Sequence, residues 1–590
     1  MKYSDLIVEW LAELGYTHCF FLPGGNIMHL LESCSRKFEC VLFVHEGAAC
    51  MAAEYFNALH PDRKAFALVT AGPGVTNAVT AIAGAYLESR ELLILAGQVK
   101  VADLARGEVR QRGIQEINGV ELVRSITESA TCLKDVVNSI TFASLTRSGV
   151  GGRKGPVFLE IPLDIQARTV NVSVLGKANA MEPPIFQPVE PSTIEKIAQK
   201  LKSAKRPVIL VGAGIRWEIA QLLLDKLADL GIPLMVTWNA TDRVPANHPL
   251  YFGRPNIWGQ RYSNILMQQA DMLLALGSRL GLQQTGFNWR EFIPKGEVIQ
   301  VDCDPAELAK GHPRVSQPIC GDANFVLERL AGHDLGTHDD WVAFCREVRR
   351  LLPVVEDVNE TQKDFISPYV FMQTLSCLCG SDDIVIPCSS GGAFTVFMQV
   401  FAQKLGQRII SNKALASMGY GLSGAIGAAI SGRERRTILI EGDGGVLQNV
   451  QELGTVAANI LNLKLFIFDN NGYASIRMTQ RNYFGGRYIG CDGQTGLGIP
   501  IWKSIFDAYR IPMVDIGPEF QDAREFQDQF NARGPAAFLV SIDPEQTYYP
   551  KITSRITDTG DMVSNPLHIM SPDLDPQLAE KVLRNLRDHS

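Results

Sequence analysis

Short apolar stretches alternate along this chain with segments in which apolar residues recur every three or four positions. Many of the apolar stretches end in turns rich in Gly, Asp, Asn or Ser. The stretches with their turns cover residues 41–45, 65–70, 92–97, 155–162, 207–215, 271–280, 297–305, 383–392, 436–445, 463–472 and 536–543. Short buried strands that alternate with helices are typical of parallel sheets covered by helices. The pattern therefore predicts an α/β fold with several mostly parallel sheets.

Two stretches of different composition divide this pattern. Residues 166–192 contain four prolines and are typical of an extended linker, and residues 356–364 are strongly polar. We predict four segments: an N-terminal domain at 1–170, a central Rossmann-like domain at 190–345, a C-terminal domain at 366–550 and a C-terminal arm at 551–590. The last segment shows no clear periodicity and is expected to lie as an arm over the surface.

Composition narrows the classes of function. The 590-residue chain has a net charge of −7 and no basic block, which disfavours a nucleic-acid partner. Its 12 cysteines form no Cys-x-x-Cys pair, so we expect reduced thiols in a cytoplasmic protein. Acidic residues interrupt the apolar N-terminus, and no stretch approaches the ~20 apolar residues of a membrane span. We therefore expect neither a signal peptide nor a membrane partner.

Asp443 lies among glycines at the end of a predicted strand, and residues 446–460 after it have helical spacing. Alone, such a Gly-Asp-Gly turn is usually explained by turn chemistry. Here a second predicted strand ends 27 residues later at Asn470, within Asp-Asn-Asn-Gly. That spacing accommodates a helix and a return strand, so both strand ends would meet at one sheet edge. Carboxylate, amide and carbonyl oxygens are ligands that Mg²⁺ prefers.

These two motifs resemble the signature of thiamine diphosphate enzymes. From about residue 3 to residue 550 the chain is similar to the acetolactate synthase-like family of these enzymes. The resemblance implies that Asp443, Asn470 and the carbonyl of Gly472 bind Mg²⁺. It also implies that Gly444 and Gly445 let the backbone approach the cofactor's diphosphate.

The resemblance also implies a catalytic acid in the N-terminal domain. Glu46 stands in a His-Glu-Gly-Ala-Ala sequence that is similar to the family pattern, and there it would hydrogen-bond the pyrimidine nitrogen of the cofactor. The alternative is an acid at a helix N-terminus, which stabilises a helix by ~0.3–1 kcal/mol. Because the family pattern is present, we predict the catalytic role.

Two further segments are similar to cofactor-binding segments of the family. In residues 411–429, Met418 would wedge between the two cofactor rings, and the Ala416 carbonyl would accept from the amino group. A core position is the alternative for Met418. Ser389 and Ser390 would bind the diphosphate, although acetolactate synthases usually carry Gln-His there.

Substrate contacts are expected from two loops. The Gly-Gly loop at residues 20–32 supplies Gly25 and Asn26, although a plain tight turn explains the glycines equally well. The segment at residues 112–128 supplies Gln115, with Ile114 where the family has Phe. The absence of a histidine pair there favours a carboligase over a simple pyruvate decarboxylase.

One difference from the family pattern bears on the identity of the acceptor substrate. Residues 472–486 lack the tryptophan with which acetolactate synthases select their second keto acid. This stretch and residues 565–576 resemble a subgroup of carboligases associated with branched nucleotide-sugar biosynthesis. Arg477 and Arg481 are four residues apart and would suit a diphosphate-bearing acceptor. A solvated basic face is the alternative.

The central domain carries features of family members that bind FAD. The candidate residues are Gly212, Gly214, Arg279 and Asp302. Relatives that have lost FAD keep the same features, and an isolated Gly-x-Gly is weak evidence. The resemblance further implies a homodimer or homotetramer, because the family binds its cofactor between domains of two subunits.

Together these features predict an enzyme that decarboxylates pyruvate and transfers the two-carbon unit to a carbonyl acceptor, with a keto nucleotide sugar as one option. The alternatives are an acetolactate synthase that joins two pyruvates, or a 2-keto acid decarboxylase or flavin-linked oxidase. An inactive member of the family is disfavoured because Glu46, Asp443 and Asn470 are all present.

Overall fold

The computed structural model describes residues 1–60, 62–177, 188–388, 390–556, 560 and 562–586. Two compact units divide the chain: Met1–Ile185, Asp383–Ala393 and Ile410–Ser541 form unit 1, and Phe186–Asp382, Phe394–Ile409 and Ile542–Ser590 form unit 2. Part of the predicted linker, residues 178–187, lies outside the described residues. The four predicted segment boundaries stay a prediction.

The N-terminal part of unit 1 is built on a parallel sheet with the strand order β2-β1-β3-β4-β6-β5. Its strands are β1 (Tyr16–Phe21), β2 (Glu39–Leu42), β3 (Lys64–Val69), β4 (Leu92–Gln98), β5 (Ser129–Cys132) and β6 (Pro156–Pro162). Its helices are α1 (Tyr3–Glu13), α2 (Met28–Cys34), α3 (Glu46–Leu59), α4 (Pro73–Leu87), α5 (Gly119–Val123), α6 (Ser139–Arg147), α7 (Leu163–Ala167) and α8 (Val172–Leu175). All seven residues of β4 and of β6 are buried, as expected for strands covered on both faces.

Unit 2 contains a five-stranded parallel sheet in the order β11-β10-β9-β7-β8. Its strands are β7 (Pro207–Val211), β8 (Leu234–Val236), β9 (Met272–Leu276), β10 (Glu297–Asp302) and β11 (Gln317–Cys320). Its helices are α9 (Pro191–Ser203), α10 (Trp217–Asp229), α11 (Arg261–Gln268), α12 (Leu282–Thr285), α13 (Pro305–Ala309), α14 (Ala323–Leu330), α15 (Asp339–Leu351) and α16 (Pro368–Leu378).

A third sheet occupies the C-terminal part of the chain, and its pairs within unit 1 are parallel. The strands of this part are β12 (Ile384–Pro387), β13 (Arg408–Ile409), β14 (Thr437–Gly442), β15 (Leu463–Asp469), β16 (Met513–Ile516) and β17 (Ala536–Ser541). The helices are α17 (Gly391–Val400), α18 (Tyr420–Ser431), α19 (Asp443–Val446), α20 (Leu453–Ala458), α21 (Ala474–Tyr483), α22 (Trp502–Ala508) and α23 (Arg524–Asn531). The order β12-β14-β15-β17-β16 repeats the order β1-β3-β4-β6-β5 of the first sheet.

The three sheets flanked by helices confirm the predicted fold class. The C-terminal arm stays a prediction, and the structure shows that this segment contains short regular elements. The segment forms β18 (Lys551–Ile552), β19 (Ser554–Ile556), β20 (Met562–Ser564), β21 (Met570–Ser571) and α24 (Pro576–Val582). Leu567 and Val582 are buried in the hydrophobic core of unit 2, and the Val582 carbonyl accepts a hydrogen bond from Gln269 (2.9 Å). The elements are too short to show a sequence period.

No helix in the described ranges has the length and apolar character needed to cross a membrane.

Helices α3 and α18 pack closely inside unit 1. A Cβ added at Gly427 of α18 would lie 2.0 Å from the Ala52 carbonyl of α3, and one at Gly424 would lie 2.6 Å from the Tyr55 ring. Across the same contact, Glu54 is fully buried and accepts hydrogen bonds from Tyr420 and from Arg90 (2.8 Å). The glycines allow the two helices to approach, and the buried carboxylate fixes their register.

We expect Gly427→Ala to lower the melting temperature by roughly 1 to 5 °C, because overpacking costs about 1–3 kcal/mol even though alanine favours helix, and a unit as large as unit 1 has a large unfolding entropy. Differential scanning calorimetry measures the shift. Gly517→Ala is the matched control, since its Cβ would meet open space, and it should leave the melting temperature unchanged. Equal melting temperatures for both variants would contradict the close packing of α3 on α18.

Candidate active site

The candidate residues of unit 1 follow the carboxyl ends of parallel strands. Glu46 begins the helix after β2, and the Gly24-Gly25 loop follows β1. In the C-terminal sheet, Asp443 follows β14 and Asn470 follows β15. The carboxyl edge of a parallel sheet is where α/β proteins bind ligands. Both sheets therefore present their candidate groups at that edge.

Asp443 and Asn470 meet as the sequence predicts. The register pairs Gly442 with Phe468, so the residues that follow these two come side by side. Asp443 is buried; its Oδ1 accepts from the Gly444 N–H (2.7 Å) and its Oδ2 from the Gly472 N–H (2.7 Å). Burial raises the pKa of Asp443 to about 7, and the neighbouring Asp469 adds to the shift. A cation at this point would favour the ionised carboxylate.

The amide of Asn470 has the character expected of a metal ligand. Its Oδ1 is buried and has no hydrogen-bond partner within the described part of the chain. An orphaned buried acceptor is costly unless something else binds it. Across the described ranges, no group of three or more His, Cys, Asp and Glu side chains could hold a metal. A metal here would therefore use amide and carbonyl oxygens besides Asp443, and the donor set fits Mg²⁺.

The loop after β15 is held in an unusual conformation by Arg477. Asn471 and Gly472 adopt φ values of +61° and +110°, in a region that non-glycine residues rarely occupy. The buried Arg477 guanidinium donates to the carbonyls of Asn470 (2.6 Å) and Asn471 (3.1 Å) and lies 3.9 Å from the Asp492 carboxylate. Arg477 thus stabilises the candidate metal loop, a role that the sequence analysis missed.

The two arginines predicted for the acceptor site differ in environment. Arg477 is engaged with the metal loop, whereas Arg481 lies one turn further along α21 and is half-buried. Both lie in one helix, as their spacing predicts. Their part in acceptor binding stays a prediction, and it is less natural for Arg477 because its donors are directed at the loop backbone.

The backbone around Met418 is shaped for close approach. Ala416 has a φ of +56° and Gly419 a φ of +79°. Met418 is half-buried, unlike a core methionine. Asn449 donates to the Gly419 carbonyl (2.9 Å) and to the Ser423 hydroxyl (3.0 Å), which holds this segment against the residues that follow Asp443.

The predicted diphosphate site includes two glycines in tight packing and two serines, of which the structure describes one. A Cβ at Gly444 would lie 2.4 Å from the Tyr473 ring, and one at Gly445 would lie 2.6 Å from the Glu441 carboxylate, so neither position has room for a side chain. Ser390 follows β12 and its carbonyl accepts from the Cys388 thiol (3.0 Å). Ser389 lies outside the described residues.

Glu46 is buried at the first position of α3. The Asn77 amide on α4 donates to its Oε2 (2.9 Å), and its Oε1 lies near Gly74, where a Cβ would be 3.5 Å away. The His45 ring caps the helix by accepting from the Gly47 N–H (3.1 Å). Asn77 orients the carboxyl group, and no sequence motif had identified it, because it acts from another helix 31 residues further along the chain.

The two predicted substrate loops are built on close backbone contacts. A Cβ at Gly24 would lie 2.3 Å from Thr70, whereas one at Gly25 would meet open space. Gly25 lines a cavity of about 570 Å³ together with Pro23, Gly24, Met28, Leu31, Glu32 and Ser35. The Asn26 carbonyl accepts from Gln166 (2.8 Å). Close packing explains Gly24, whereas Gly25 faces the cavity, and the substrate contacts of Gly25 and Asn26 stay a prediction.

Gln115 is exposed and has a φ of +61°. Its carbonyl lies where a Cβ of Gly72 would be, at 2.3 Å. The next residue, Glu116, holds the loop together: its carboxylate accepts from the N–H groups of Ala105, Arg112 (2.9 Å) and Gly113 (3.0 Å). A non-glycine residue kept in this conformation by its neighbours is typical of functional loops.

The candidate FAD residues lie at strand ends of the unit 2 sheet. The N–H groups of Gly212 and Gly214 donate to the carbonyls of Leu276 (2.8 Å) and Gly277 (2.9 Å). A Cβ at Gly212 would lie 2.2 Å from the Gly277 carbonyl, so close packing of two loops accounts for these glycines. Asp302 is buried at the end of β10 and its Oδ1 accepts from the Asp304 N–H (3.0 Å). Arg279 lies half-buried in the loop after β9.

Comparisons with known proteins identify the family of this chain. Three family models match: the N-terminal TPP binding domain of thiamine pyrophosphate enzymes at residues 1–122, the central domain at 194–330 and the C-terminal TPP binding domain at 390–539. The chain therefore belongs to the thiamine pyrophosphate-dependent enzymes.

Full-length relatives refine the class. Acetolactate synthase isozyme 1 large subunit from Escherichia coli is 28% identical over 94% of this chain and 96% of its own length. A probable acetolactate synthase large subunit from Methanocaldococcus jannaschii is 28% identical over 92% and 93%, and the large subunit from Corynebacterium glutamicum is 29% identical over 90% and 86%. Within its class the chain is an acetolactate synthase-like enzyme that forms carbon–carbon bonds. The family resemblance and the enzyme class are thus confirmed.

We expect Glu46→Gln to retain thiamine diphosphate but to lower turnover at least about a hundredfold, since a positioned proton-transfer group contributes roughly 10²–10⁴. Calorimetric titration measures cofactor binding, and consumption of pyruvate measures turnover. Glu121→Gln changes an exposed acid and should behave as the parent enzyme. Turnover within a few-fold of the parent in Glu46→Gln would disprove the catalytic assignment.

We expect Arg477→Gln to weaken magnesium-dependent binding of thiamine diphosphate about tenfold or more, because two charge-assisted hydrogen bonds to the metal loop, worth ~1.5–3 kcal/mol each, are lost. Asp443→Ala should abolish that binding and serves as the reference. Arg524→Gln, which changes an exposed arginine of α23 away from this segment, is the control. If Arg477→Gln changed only the KM of an acceptor, Arg477 would belong to the acceptor site instead.

Proposed function

We propose that this enzyme decarboxylates pyruvate and transfers the two-carbon unit to a carbonyl acceptor, with Mg²⁺ and thiamine diphosphate as cofactors. The observation that carries the proposal is the combination of a buried, oriented Glu46 with the orphaned Oδ1 of Asn470 beside Asp443. An inactive scaffold would have no reason to keep an unpaired buried acceptor. The names of the relatives support the carboligase class.

The residues divide into two groups by their proposed role. Asp443, the Asn470 Oδ1 and the Gly472 carbonyl hold Mg²⁺, and Arg477 keeps their loop in shape. Glu46 holds or releases a proton at Oε1, because Asn77 engages Oε2. Thiamine diphosphate, when bound, supplies the nucleophilic carbon and the electron sink that decarboxylation of a 2-keto acid requires.

The finer proposal concerns the acceptor. Residues 472–486 contain no tryptophan, and Tyr483 and Phe484 there are 65% and 66% exposed. Exposed aromatic rings beside Arg481 and Arg487 suit a ligand that combines a planar base, a sugar and a diphosphate. We therefore propose a keto nucleotide sugar as acceptor. The alternative, a second pyruvate, rests on the names of the relatives.

The proposal includes two features of the family. The first is a homodimer or homotetramer in which Glu46 and Asp443 of different chains form one site; exposed apolar side chains such as Ile114 and Ile489 support an interface. The second is a structural FAD in unit 2. Since the N–H groups of Gly212 and Gly214 already serve the fold, such a flavin would depend on Arg279 and Asp302.

Product analysis tests the proposal. The holoenzyme is incubated with ¹³C-labelled pyruvate, Mg²⁺ and thiamine diphosphate, with and without a keto nucleotide sugar, and NMR identifies the labelled carbon–carbon bond. We expect a branched sugar when the sugar is present and acetolactate when it is absent. Acetolactate alone in both reactions would identify an acetolactate synthase, and free acetaldehyde or peroxide would identify a decarboxylase or oxidase. Asp443→Ala should give no product.

A further inference from the structure

A buried carboxylate outside the motifs contacts the backbone directly before Glu46. Glu452 is 0% exposed, and the Val44 N–H donates to both of its oxygens, at 3.1 Å to Oε1 and 3.3 Å to Oε2. The His45 N–H is a further donor to it, and the Thr455 hydroxyl donates to its Oε2 (2.7 Å). All of these residues lie in unit 1.

The backbone between β2 and α3 needs this partner. The Phe43 N–H still donates to the Phe21 carbonyl of β1 (2.9 Å), but the sheet pairing ends there. The next two N–H groups, of Val44 and His45, are directed at Glu452. These contacts hold the backbone directly before Glu46, and the Asn77 amide holds the Glu46 side chain. Both the backbone and the carboxyl group of the catalytic residue are therefore fixed.

A break in the helical segment after Asp443 determines the position of Glu452. The sequence predicts one helix over residues 446–460, whereas the structure has α19, a 3₁₀ turn at Leu447–Glu452 and then α20. Asn449, with φ −135° and ψ 30°, leaves helical geometry inside the turn. Its amide binds the Gly419 carbonyl, and three residues later Glu452 reaches Val44. Both polar side chains are thus directed away from their own helix.

We propose that Glu452 is a positioning residue for the reaction: it sets the place of Glu46 by holding the N–H groups of Val44 and His45. The inference rests on the proposed role of Glu46 but not on the identity of donor or acceptor. A fully buried carboxylate is costly, and its polar contacts serve the segment that leads into the catalytic residue. A displacement of about 1 Å in a catalytic group can cost about a hundredfold in rate.

Exchange of the C2 proton of bound thiamine diphosphate with deuterium tests this role, because it needs the catalytic glutamate but neither 2-keto acid nor acceptor. In Glu452→Ala we expect exchange and turnover to fall together by about tenfold to a hundredfold, as expected for a displaced catalytic group. The dissociation constant for cofactor with Mg²⁺ should stay within about threefold of the parent, because the Asp443 end of the segment is unchanged. Glu452→Gln keeps one acceptor oxygen and should recover part of the rate.

The control is Glu434→Ala, an exposed acid paired with Arg533, which should leave exchange unchanged. Parent-like exchange in Glu452→Ala, or a loss of cofactor affinity as large as the loss of exchange, would overturn the proposal. If Glu452→Ala does not fold, Thr455→Val and Glu452→Gln decide the question: slower exchange at parent-like affinity supports it, and parent-like exchange in both overturns it. If the parent enzyme exchanged the C2 proton normally but formed no product with a new carbon–carbon bond, only the carboligase proposal would be contradicted.

Discussion

The contact between α3 and α18 is the constraint on which the arrangement of unit 1 depends. Helix α3 begins with Glu46, and α18 begins two residues after Met418. Gly427 lets the backbone of α18 rest on the Ala52 carbonyl, and a larger side chain would push the helices apart. Because Glu46 opens α3 and Met418 lies just before α18, the separation and register of the two helices set where these two residues lie within one chain.

A buried polar network fixes that register more narrowly than apolar packing alone. Glu54 lies two turns after Glu46 and meets Tyr420, Arg90 and Asn412 inside the interface. Burial raises the pKa of Glu54, and Arg90 opposes the shift. Such a pair gains little net stability after desolvation, but a slip of either helix would leave a buried charge without its partner. The network therefore specifies one arrangement of the helices.

The sequence predicts the candidate site residues well where they directly follow a strand. The runs before Asp443 and Asn470 form β14 and β15, and the parallel register leads Asp443 to a position opposite Asp469, next to Asn470. It was uninformative where one side chain serves the backbone of a distant segment. Arg477 has the spacing of a surface helix yet is buried against the candidate metal loop. Asn77 contacts Glu46 from α4, and Glu452 contacts the backbone of Val44. Such contacts depend on tertiary structure and leave no periodic signal.

The strand β5 was missed because it is only four residues long and half-buried.

The break after Asp443 shows how these constraints combine. A regular helix would direct its N–H groups at an anion, but α19 is only four residues long, and the Gly444 N–H is already bonded to Asp443. The helix dipole would therefore be a small part of any attraction for a diphosphate here, and in the proposed site a cation at Asp443 and Asn470 would supply most of it. The interruption in turn frees Asn449 and Glu452 to reach Gly419 and Val44. Asn449 and Glu452, which lie at this break, thus connect the segment after Asp443 to the segments that carry Met418 and Glu46.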